Sequence, residues 1–129
     1  MENSHYGLSE IEYELMNYFW SNGTLSFLEI LEYCNDKCHY NWAKTTLHTY
    51  LTRLIKKGVL NADFVGHRKF YSPKISKEEL AQRYAEQFLK KDFGGSISQL
   101  LLSLTYKSKL SEGEVAELKK IIDENINDE

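Results

Sequence analysis

Five serines in this chain of 129 residues are each followed, three residues later, by Glu or Gln. A Ser that begins a helix accepts a hydrogen bond from the amide of that later residue, whose own side chain accepts one from the amide of the Ser. The pattern therefore predicts five helix starts, at Ser9/Glu12, Ser26/Glu29, Ser76/Glu79, Ser96/Gln99 and Ser111/Glu114. Because one more amphipathic segment lies between the second and third of these starts, the chain is predicted to be mainly α-helical.

Two helices are predicted before residue 35, and the second of them is short. Apolar residues recur at helical spacing from about Ser9 to Ser21, and Asn22-Gly23 supplies a stop. A second helix begins at Ser26 and gives way to a polar turn from Asn35 to Asn41.

The third predicted helix runs from about Trp42 to Lys57 and ends at Gly58, a residue type that readily adopts the left-handed conformation after a helix. At 100° per residue, its apolar and polar side chains fall on opposite sides. The apolar side comprises Leu47, Leu51, Leu54 and Ile55, whereas the polar side comprises Thr45, Thr49, Thr52, Arg53 and Lys56, with His48 at the margin. Helices one to three can therefore share one core.

Two extended segments follow the third helix. Residues from Val59 to Val65 and from Arg68 to Ser72 are rich in β-branched and aromatic side chains, and Gly66-His67 separates them. Pro73 ends the second segment because proline cannot continue the ladder of strand hydrogen bonds. Three helices followed by such a hairpin predict a winged helix-turn-helix.

The chain carries a net charge of −3, but its middle part is basic. Between Lys37 and Pro73, seven Lys and Arg residues stand against one acid, Asp63, whereas residues 1–36 contain seven acids and no Lys or Arg. Positive charge concentrated on one helix and a hairpin is typical of proteins that grip DNA phosphates. Double-stranded DNA is therefore the predicted partner.

The predicted DNA contacts form two groups, for which a solvated surface is the alternative. Side chains near the start of the third helix would reach base edges in the major groove, and they are Thr45, Thr46, His48 and Thr49. Side chains around them and in the hairpin would contact phosphates, and they are Lys44, Thr52, Arg53, Lys56, His67, Arg68 and Lys69.

The C-terminal half is predicted to form three helices, Ser76 to Asp92, Ser96 to Tyr106 and Ser111 to Asn125. A region of this size cannot easily bury so many apolar residues alone. We therefore expect a DNA-binding domain over residues 1–74 and a homodimerisation domain over 75–129, which would select an inverted-repeat operator. The predicted dimer interface comprises Tyr84, Phe88, Ile97, Leu100, Leu101, Leu104, Leu118, Ile121 and Ile122.

Several other classes are excluded by composition and motifs. No apolar run approaches the roughly 18 residues of a membrane span, and Met1-Glu2-Asn3 lacks the features of a signal peptide, so we expect a cytoplasmic protein. There is no Gly-rich phosphate loop and no nucleophile with a plausible base, so we expect neither an enzyme nor a cofactor.

Two alternatives from other classes remain. Cys34, Cys38 and His39 have the chemistry and spacing for zinc or copper(I), which would make the protein a metal or redox sensor. Cys34 also continues an apolar stripe with Phe27 and Leu31, however, and suits a core position. The second alternative is a winged-helix module that binds a partner protein, which an apolar exposed face of the third helix would favour; here that face is Thr-rich and basic.

Short motifs occur in order along residues 8–122. They are Leu8-Ser9-Glu10, Glu14-Leu15-Met16, Trp20, Thr46-Leu47-His48-Thr49-Tyr50-Leu51-Thr52-Arg53-Leu54, Lys56-Lys57-Gly58, Gly66-His67-Arg68-Lys69-Phe70-Tyr71-Ser72-Pro73, Phe93-Gly94-Gly95-Ser96, Leu100-Leu101 and Leu110-Ser111 with Glu114 and Leu118. In this ordered set the chain resembles the penicillinase and copper-responsive repressor family (BlaI/MecI/CopY).

The resemblance implies a dimeric winged-helix repressor on palindromic operators near β-lactam resistance or metal-homeostasis genes. Repressors of the β-lactam branch are inactivated by cleavage at an Asn-Phe bond, and the resemblance places Ser103-Leu104 at the position of that bond. An inactivating protease is therefore a further expected partner. The copper branch carries Cys-x-Cys motifs near its C-terminus, whereas this chain ends Ile126-Asn127-Asp128-Glu129, so release by copper through such motifs is not expected. The family usually has a basic residue where this chain has His48, a pH-sensitive cation.

Overall fold

The computed structural model describes residues 5–126. Within that range the elements are, in order, α1 (Glu10–Asn22), β1 (Leu25–Ser26), α2 (Phe27–Glu32), a π-helical turn (Tyr33–Lys37), α3 (Lys44–Lys56), β2 (Leu60–Val65), β3 (Arg68–Pro73), α4 (Lys77–Phe93), α5 (Ile97–Leu104) and α6 (Glu112–Glu124). The predicted fold class, mainly α with a small β-hairpin in a winged helix-turn-helix and further helices after it, is confirmed. The two chain ends used in the signal-peptide and copper-motif expectations, Met1-Glu2-Asn3 and Asn127-Asp128-Glu129, lie outside the described residues.

The Ser-initiated helix starts are present as predicted. At α1 the amide of Ser9 donates to Glu12 Oε1 at 2.8 Å while the amide of Glu12 donates to Ser9 Oγ at 3.2 Å. The same reciprocal pair forms at Ser26, Ser76 and Ser111. At Ser96 the side chain accepts from the amide of Gln99 at 3.1 Å. Local hydrogen bonds thus set where these helices begin, which is why their starts could be read from sequence.

The second helix differs from its predicted form. The polar stretch from Asn35 was expected to be a turn, but helical structure continues through Tyr33–Lys37 with π geometry. The amide of Cys38 then donates to the carbonyl of Tyr33 at 3.1 Å, which is the five-residue spacing of a π turn. This wider turn ends the first half of the helix-turn-helix.

The sheet has three antiparallel strands in the order β1-β3-β2. Strands β2 and β3 form the predicted hairpin, paired from Leu60 with Pro73 to Val65 with Arg68, and Gly66 at a φ of 66° makes its turn. The short strand β1 was not predicted, and its Leu25 pairs with Tyr71 of β3. The hairpin is therefore attached to the helical core by backbone hydrogen bonds as well as by side chains.

The hydrophobic core lies among α1, α2, α3, the sheet and the start of α4. Its buried apolar side chains are Leu8, Leu15, Met16, Phe19, Leu25, Ile30, Cys34, Leu47, Leu51, Leu54, Val59, Leu60, Tyr71 and Leu80. Three of the four residues predicted for the apolar side of the third helix are among them. The fourth, Ile55, is 37% exposed, which corrects its prediction as a core residue.

The chain divides into two compact units, one up to Ala85 and one from Glu86 onward, so the division falls within α4. All of the buried core residues belong to the first unit. Neither α5 nor α6, in the second unit, contains a buried residue. No helix in residues 5–126 combines the length and the apolar character that crossing a bilayer requires.

Candidate nucleic-acid interface

The orientation of α3 is set by three fully buried leucines, Leu47, Leu51 and Leu54. Because these residues face the core, the opposite side of the helix faces solvent. That side carries Thr45, His48, Thr49, Arg53 and Lys56 as exposed residues, with Thr52 half-buried, and Lys44 is exposed at its start. Thr46 is half-buried. The structure therefore brings the sequence-predicted residues of this helix onto one stripe, with Thr46 at its edge.

Two features at the start of α3 affect what its side chains can bind. The residue before the helix, Ala43, provides no side-chain cap, so the positive end of the helix dipole is left to solvent or an anion. The hydroxyl of Thr49 donates to the carbonyl of Thr45 at 3.0 Å. While that bond holds, Thr49 offers a ligand its oxygen lone pairs and its methyl group, but no proton.

The wing, defined as β2, β3 and the turn between them, carries the second group of cations. His67 and Arg68 are exposed, and Lys69 is half-buried. The Arg68 guanidinium lies 5.4 Å from the ring centroid of Phe70, and Lys69 Nζ lies 5.5 Å from that of Tyr71. These cation–π contacts restrain both side chains on the hairpin.

Glu29 of α2 lies within the electrostatic reach of the wing. The pKa of Glu29 is lowered, first by the hydrogen bond from the amide of Ser26 and further by the charge of Arg68. An ionised carboxylate close to Arg68 reduces the net positive potential at this end of the wing.

An aromatic stack supports the exposed stripe of α3. The Tyr40 and Trp42 rings are stacked with centroids 4.6 Å apart, and the Trp42 and Tyr50 rings are stacked at 4.8 Å with planes only 7° apart. The Arg53 guanidinium lies 5.3 Å from the centroid of Tyr50. This stack, Tyr40-Trp42-Tyr50-Arg53, connects the loop before α3 to a cation two turns along the helix.

The loop that carries this stack is fixed by a side chain. Asn35 accepts from the amide of Trp42 at 2.7 Å and donates to its carbonyl at 3.1 Å. His39 and Asn41 adopt positive φ angles of 59° and 57°, a conformation that costs free energy in residues other than glycine. The two hydrogen bonds from Asn35 offset that cost and hold the loop against α3.

One cation of the basic segment, Lys57, contacts α1 and the residues before it instead of joining the exposed stripe of α3. Lys57 Nζ lies 2.7 Å from Glu12 Oε1 and 3.2 Å from the carbonyl of Gly7. Glu12 is 3% exposed; burial raises its pKa, but hydrogen bonds from Lys57 and from the amide of Ser9 outweigh this, so the pKa is lowered overall. Lys57 therefore ties the end of α3 to the start of α1, and its charge is neutralised by Glu12. Local pattern gave no sign of this pair, since its partners are 45 residues apart.

Of the two cysteines considered for a metal or redox sensor, Cys34 belongs to the hydrophobic core and Cys38 is half-buried. Cys34 is fully buried, and burial raises the pKa of its thiol to about 12, with smaller contributions from Cys38 and Glu14. A protonated thiol is a poor metal ligand and a slow nucleophile. Across residues 5–126, no group of three or more His, Cys, Asp and Glu residues is arranged to hold a metal ion.

The residues predicted for dimerisation are mostly exposed in the single chain. Leu100, Leu101 and Leu118 are half-buried. The exposed members are Tyr84, Phe88, Ile97, Leu104, Ile121 and Ile122. Ser103 and Leu104, the predicted cleavage position, lie at the end of α5 and are both exposed.

Comparison with known proteins gives a consistent result. The sequence model of the penicillinase repressor family matches residues 8–124. The chain is 28% identical to a penicillinase repressor from Bacillus licheniformis, covering 93% of this chain and 92% of that protein. It is also 28% identical to the methicillin resistance regulatory protein MecI of Staphylococcus aureus, covering 95% and 98%. The solved DNA-binding domain of the repressor BlaI is 30% identical, with a TM-score of 0.49, and covers 59% of this chain and 89% of that domain.

The penicillinase repressor family is one of transcriptional repressors, which confirms the expectation that the chain is not an enzyme. The family resemblance inferred from the ordered motifs is confirmed as well, because the family model spans the helices, the wing and the C-terminal segment alike. This chain belongs to the penicillinase repressor family.

Proposed function

We propose that the protein is a homodimeric, sequence-specific DNA-binding repressor of transcription. Residues 1–74 would bind DNA and residues 75–129 would join two copies. The observation that carries the proposal is the polar, cationic stripe of α3, which lies opposite three fully buried leucines. An exposed apolar face would favour docking of a partner protein, whereas this stripe is Thr-rich and basic.

In the proposed complex, α3 enters the major groove and its first turns read the bases. Thr45, Thr46, His48 and Thr49 are the proposed base contacts. A threonine can accept a hydrogen bond from a base edge and can pack its methyl group on that of thymine, which gives modest discrimination at each position. Duplication by a dimer would multiply that discrimination.

The proposed phosphate contacts surround these residues. They are Lys44, Thr52, Arg53, Lys56, His67, Arg68 and Lys69. The cation–π contacts of Arg53, Arg68 and Lys69 support this role, because a side chain that is already restrained loses less conformational entropy on binding.

Dimerisation is proposed through Tyr84, Phe88, Ile97, Leu100, Leu101, Leu104, Leu118, Ile121 and Ile122. Exposure of 67% at Ile97, 64% at Leu104 and 57% at Ile122 supports an apolar contact with a second copy. Two-fold symmetry would place the two α3 helices about 34 Å apart, or a multiple of that, and would demand an inverted-repeat operator.

For the regulated genes, we propose a resistance operon of the β-lactam type or a homeostasis operon, which the names of the relatives support. An inactivating protease would act at Ser103-Leu104. Because these residues lie in a helix, cleavage would first require local unfolding of the end of α5. Sensing through Cys34 and Cys38 is the less favoured route, because the Cys34 thiol is buried and protonated.

The test measures the affinity of the full chain for an operator obtained by selection from random DNA, over a series of salt concentrations. The Arg68→Ala/Lys69→Ala double variant removes four cations from a dimer. If all four contact phosphates, the slope of log affinity against log salt should become shallower by about 3 to 4. The Lys107→Ala/Lys109→Ala variant, which removes the same charge from the exposed α5–α6 loop, should retain the full slope. Equal slopes in the two variants would contradict the proposed wing contacts, and selection of sequences without two-fold symmetry would contradict the dimer.

A further inference from the structure

A cleft of about 500 Å³ opens between the first turns of α3, the start of α2 and strand β3. Two aromatic side chains, Phe27 and Tyr71, line it together with polar and basic side chains of α3 and β3. Sites for small molecules in proteins commonly have volumes of about 300 to 1,000 Å³. The cleft is therefore large enough for a ligand with one or two rings.

The aromatic floor of the cleft is fixed by local structure. Tyr71 is 1% exposed and pairs with Leu25 across β3 and β1. Phe27 is the first residue of α2 and directly follows Ser26, whose side chain caps that helix. The centroids of the two rings are 6.5 Å apart, with planes inclined at 47°. An aromatic ring entering the cleft can pack against Phe27, which is half-buried, at the offset or tilted geometries that such rings prefer, while the buried Tyr71 ring supports Phe27.

The charged residues around this floor are Lys44 and Lys69, and none of the described residues lining the cleft is acidic. Lys69 Nζ lies 5.5 Å from the centroid of Tyr71 and 5.7 Å from that of Phe64, so its charge is held beside the apolar floor. An ammonium group in that position favours an anion with an apolar body. The cleft is thus apolar at its base and positive at its rim.

We propose that this cleft binds a small carboxylate that carries an aromatic ring. The ring packs on Phe27, and the carboxylate lies between Lys44 and Lys69. An aliphatic acid loses the ring contacts, a neutral aromatic amide loses the charge attraction, and an aromatic amine is repelled by both lysines.

One consequence rests on the proposed function. Thr45, His48 and Thr49 line the same cleft and are proposed base contacts. A ligand there competes with DNA, and by linkage the apparent affinity for the operator falls as the ligand concentration rises. The site then acts as an inducer site on the reading surface itself.

The first experiment titrates the full chain with 2-naphthoate in the absence of DNA and follows backbone amide shifts by NMR. We expect saturable shifts centred on Phe27, Thr45 and Lys69, with a dissociation constant below about 1 mM. Cyclohexanecarboxylate, 2-naphthamide and 2-naphthylmethylamine should each bind at least tenfold more weakly. Shifts centred outside the cleft, or equal binding of the amine, would overturn the proposal.

Variants separate the ring contact from the charge contact. Phe27→Leu keeps an apolar side chain but removes a ring, and should weaken naphthoate binding about tenfold while the circular dichroism spectrum and operator affinity are retained. Lys69→Gln should weaken naphthoate binding to a similar extent. Lys56→Gln removes the same charge from a residue of α3 outside the cleft and should change it less than twofold. If Lys56→Gln weakened naphthoate binding as much as Lys69→Gln does, the effect would reflect general charge attraction, and the proposal would be wrong.

The second experiment adds 2-naphthoate to an operator titration followed by fluorescence anisotropy. The midpoint for DNA should rise in proportion to naphthoate concentration in the unmodified protein, and much less in Phe27→Leu. An unchanged midpoint at saturating naphthoate would refute competition. Operator binding without naphthoate tests the proposed function alone, and naphthoate binding without DNA tests the cleft alone, so the two failures are distinct.

Discussion

The two units of the chain use their apolar residues in opposite ways. The first buries fourteen apolar side chains around α3, including three leucines with no exposed surface. The second includes α5, whose sequence is Ile-Ser-Gln-Leu-Leu-Leu-Ser-Leu, yet neither α5 nor α6 contains a buried residue. Apolar periodicity therefore indicates which face of a helix needs cover, but not whether the same chain provides it. The first unit should owe its stability to its own core, and the second to association.

The largest expected effect comes from the core of the first unit. Leu51→Ala deletes a fully buried side chain and leaves a cavity, which should lower the free energy of unfolding by about 2 to 5 kcal/mol. Urea denaturation of the full chain, carried out at two protein concentrations, would measure this loss in free energy of unfolding. The matched change in the second unit, Leu104→Ala, should leave the transition of the first unit in place. If both variants lowered the free energy of unfolding of the first unit to a similar extent, the two units would not differ in the way proposed.

A smaller, concentration-dependent effect is expected from the second unit. Ile97 is 67% exposed in the single chain, so Ile97→Asp should cost the folded monomer little, while a desolvated charge in a dimer contact should raise the dissociation constant at least thirtyfold. Sedimentation equilibrium measures this directly. As a control, Leu28→Asp places the same charge at an exposed leucine of α2 and should leave the dimer intact. If Ile97→Asp remained dimeric at low micromolar concentration, association through this face would be refuted.

The smallest effect concerns the partly buried ion pair between Glu12 and Lys57 in the first unit. Because the pKa of Glu12 in the folded protein is below its ordinary value of 4.5, its contribution to stability is complete above about pH 5 and is lost as the pH falls through the folded pKa. Glu12→Gln should lower the free energy of unfolding by about 1 kcal/mol at pH 7, a modest figure because Lys57 is partly exposed.

The difference in free energy of unfolding between the unmodified protein and Glu12→Gln should become smaller at acidic pH. Glu10→Gln, at an exposed position two residues earlier in α1, is the control and should show a smaller change in the free energy of unfolding. If the difference in free energy of unfolding between Glu12→Gln and the unmodified protein widened on acidification, the pKa of Glu12 would be raised by folding and not lowered. Thermal unfolding from pH 3 to pH 7 provides the measurement.

Sequence patterns predicted the features that depend on neighbours in the chain. Capping pairs three residues apart, the leucine face of α3 and the turn at Gly66-His67 were all correct because each depends on local hydrogen bonds or on helical periodicity. Strand β1 was missed because two residues carry no alternation, and its pairing with β3 is a tertiary contact.

Features that join distant segments could not be read in this way. The partners Glu12 and Lys57 are 45 residues apart, so the sequence pattern alone places Lys57 among the free basic residues of the middle segment, although its charge is paired. Ile55 fits the apolar period of α3 but lies at the border of the buried face, where small rotations decide exposure. The cleft beside Phe27 requires three elements to meet, so no single segment predicts it.

The stack of Tyr40, Trp42 and Tyr50 gives the molecule an internal optical sensor. Trp42 is one of only two tryptophans, and the ring of Tyr50 separates its indole from the Arg53 guanidinium. The other, Trp20, donates to the carbonyl of Ile75 at 3.0 Å, away from this stack. Displacement of Arg53 toward an incoming anion should therefore change the surroundings of Trp42 through Tyr50 and leave Trp20 unchanged, so the tryptophan emission of the unlabelled protein is expected to report binding at α3.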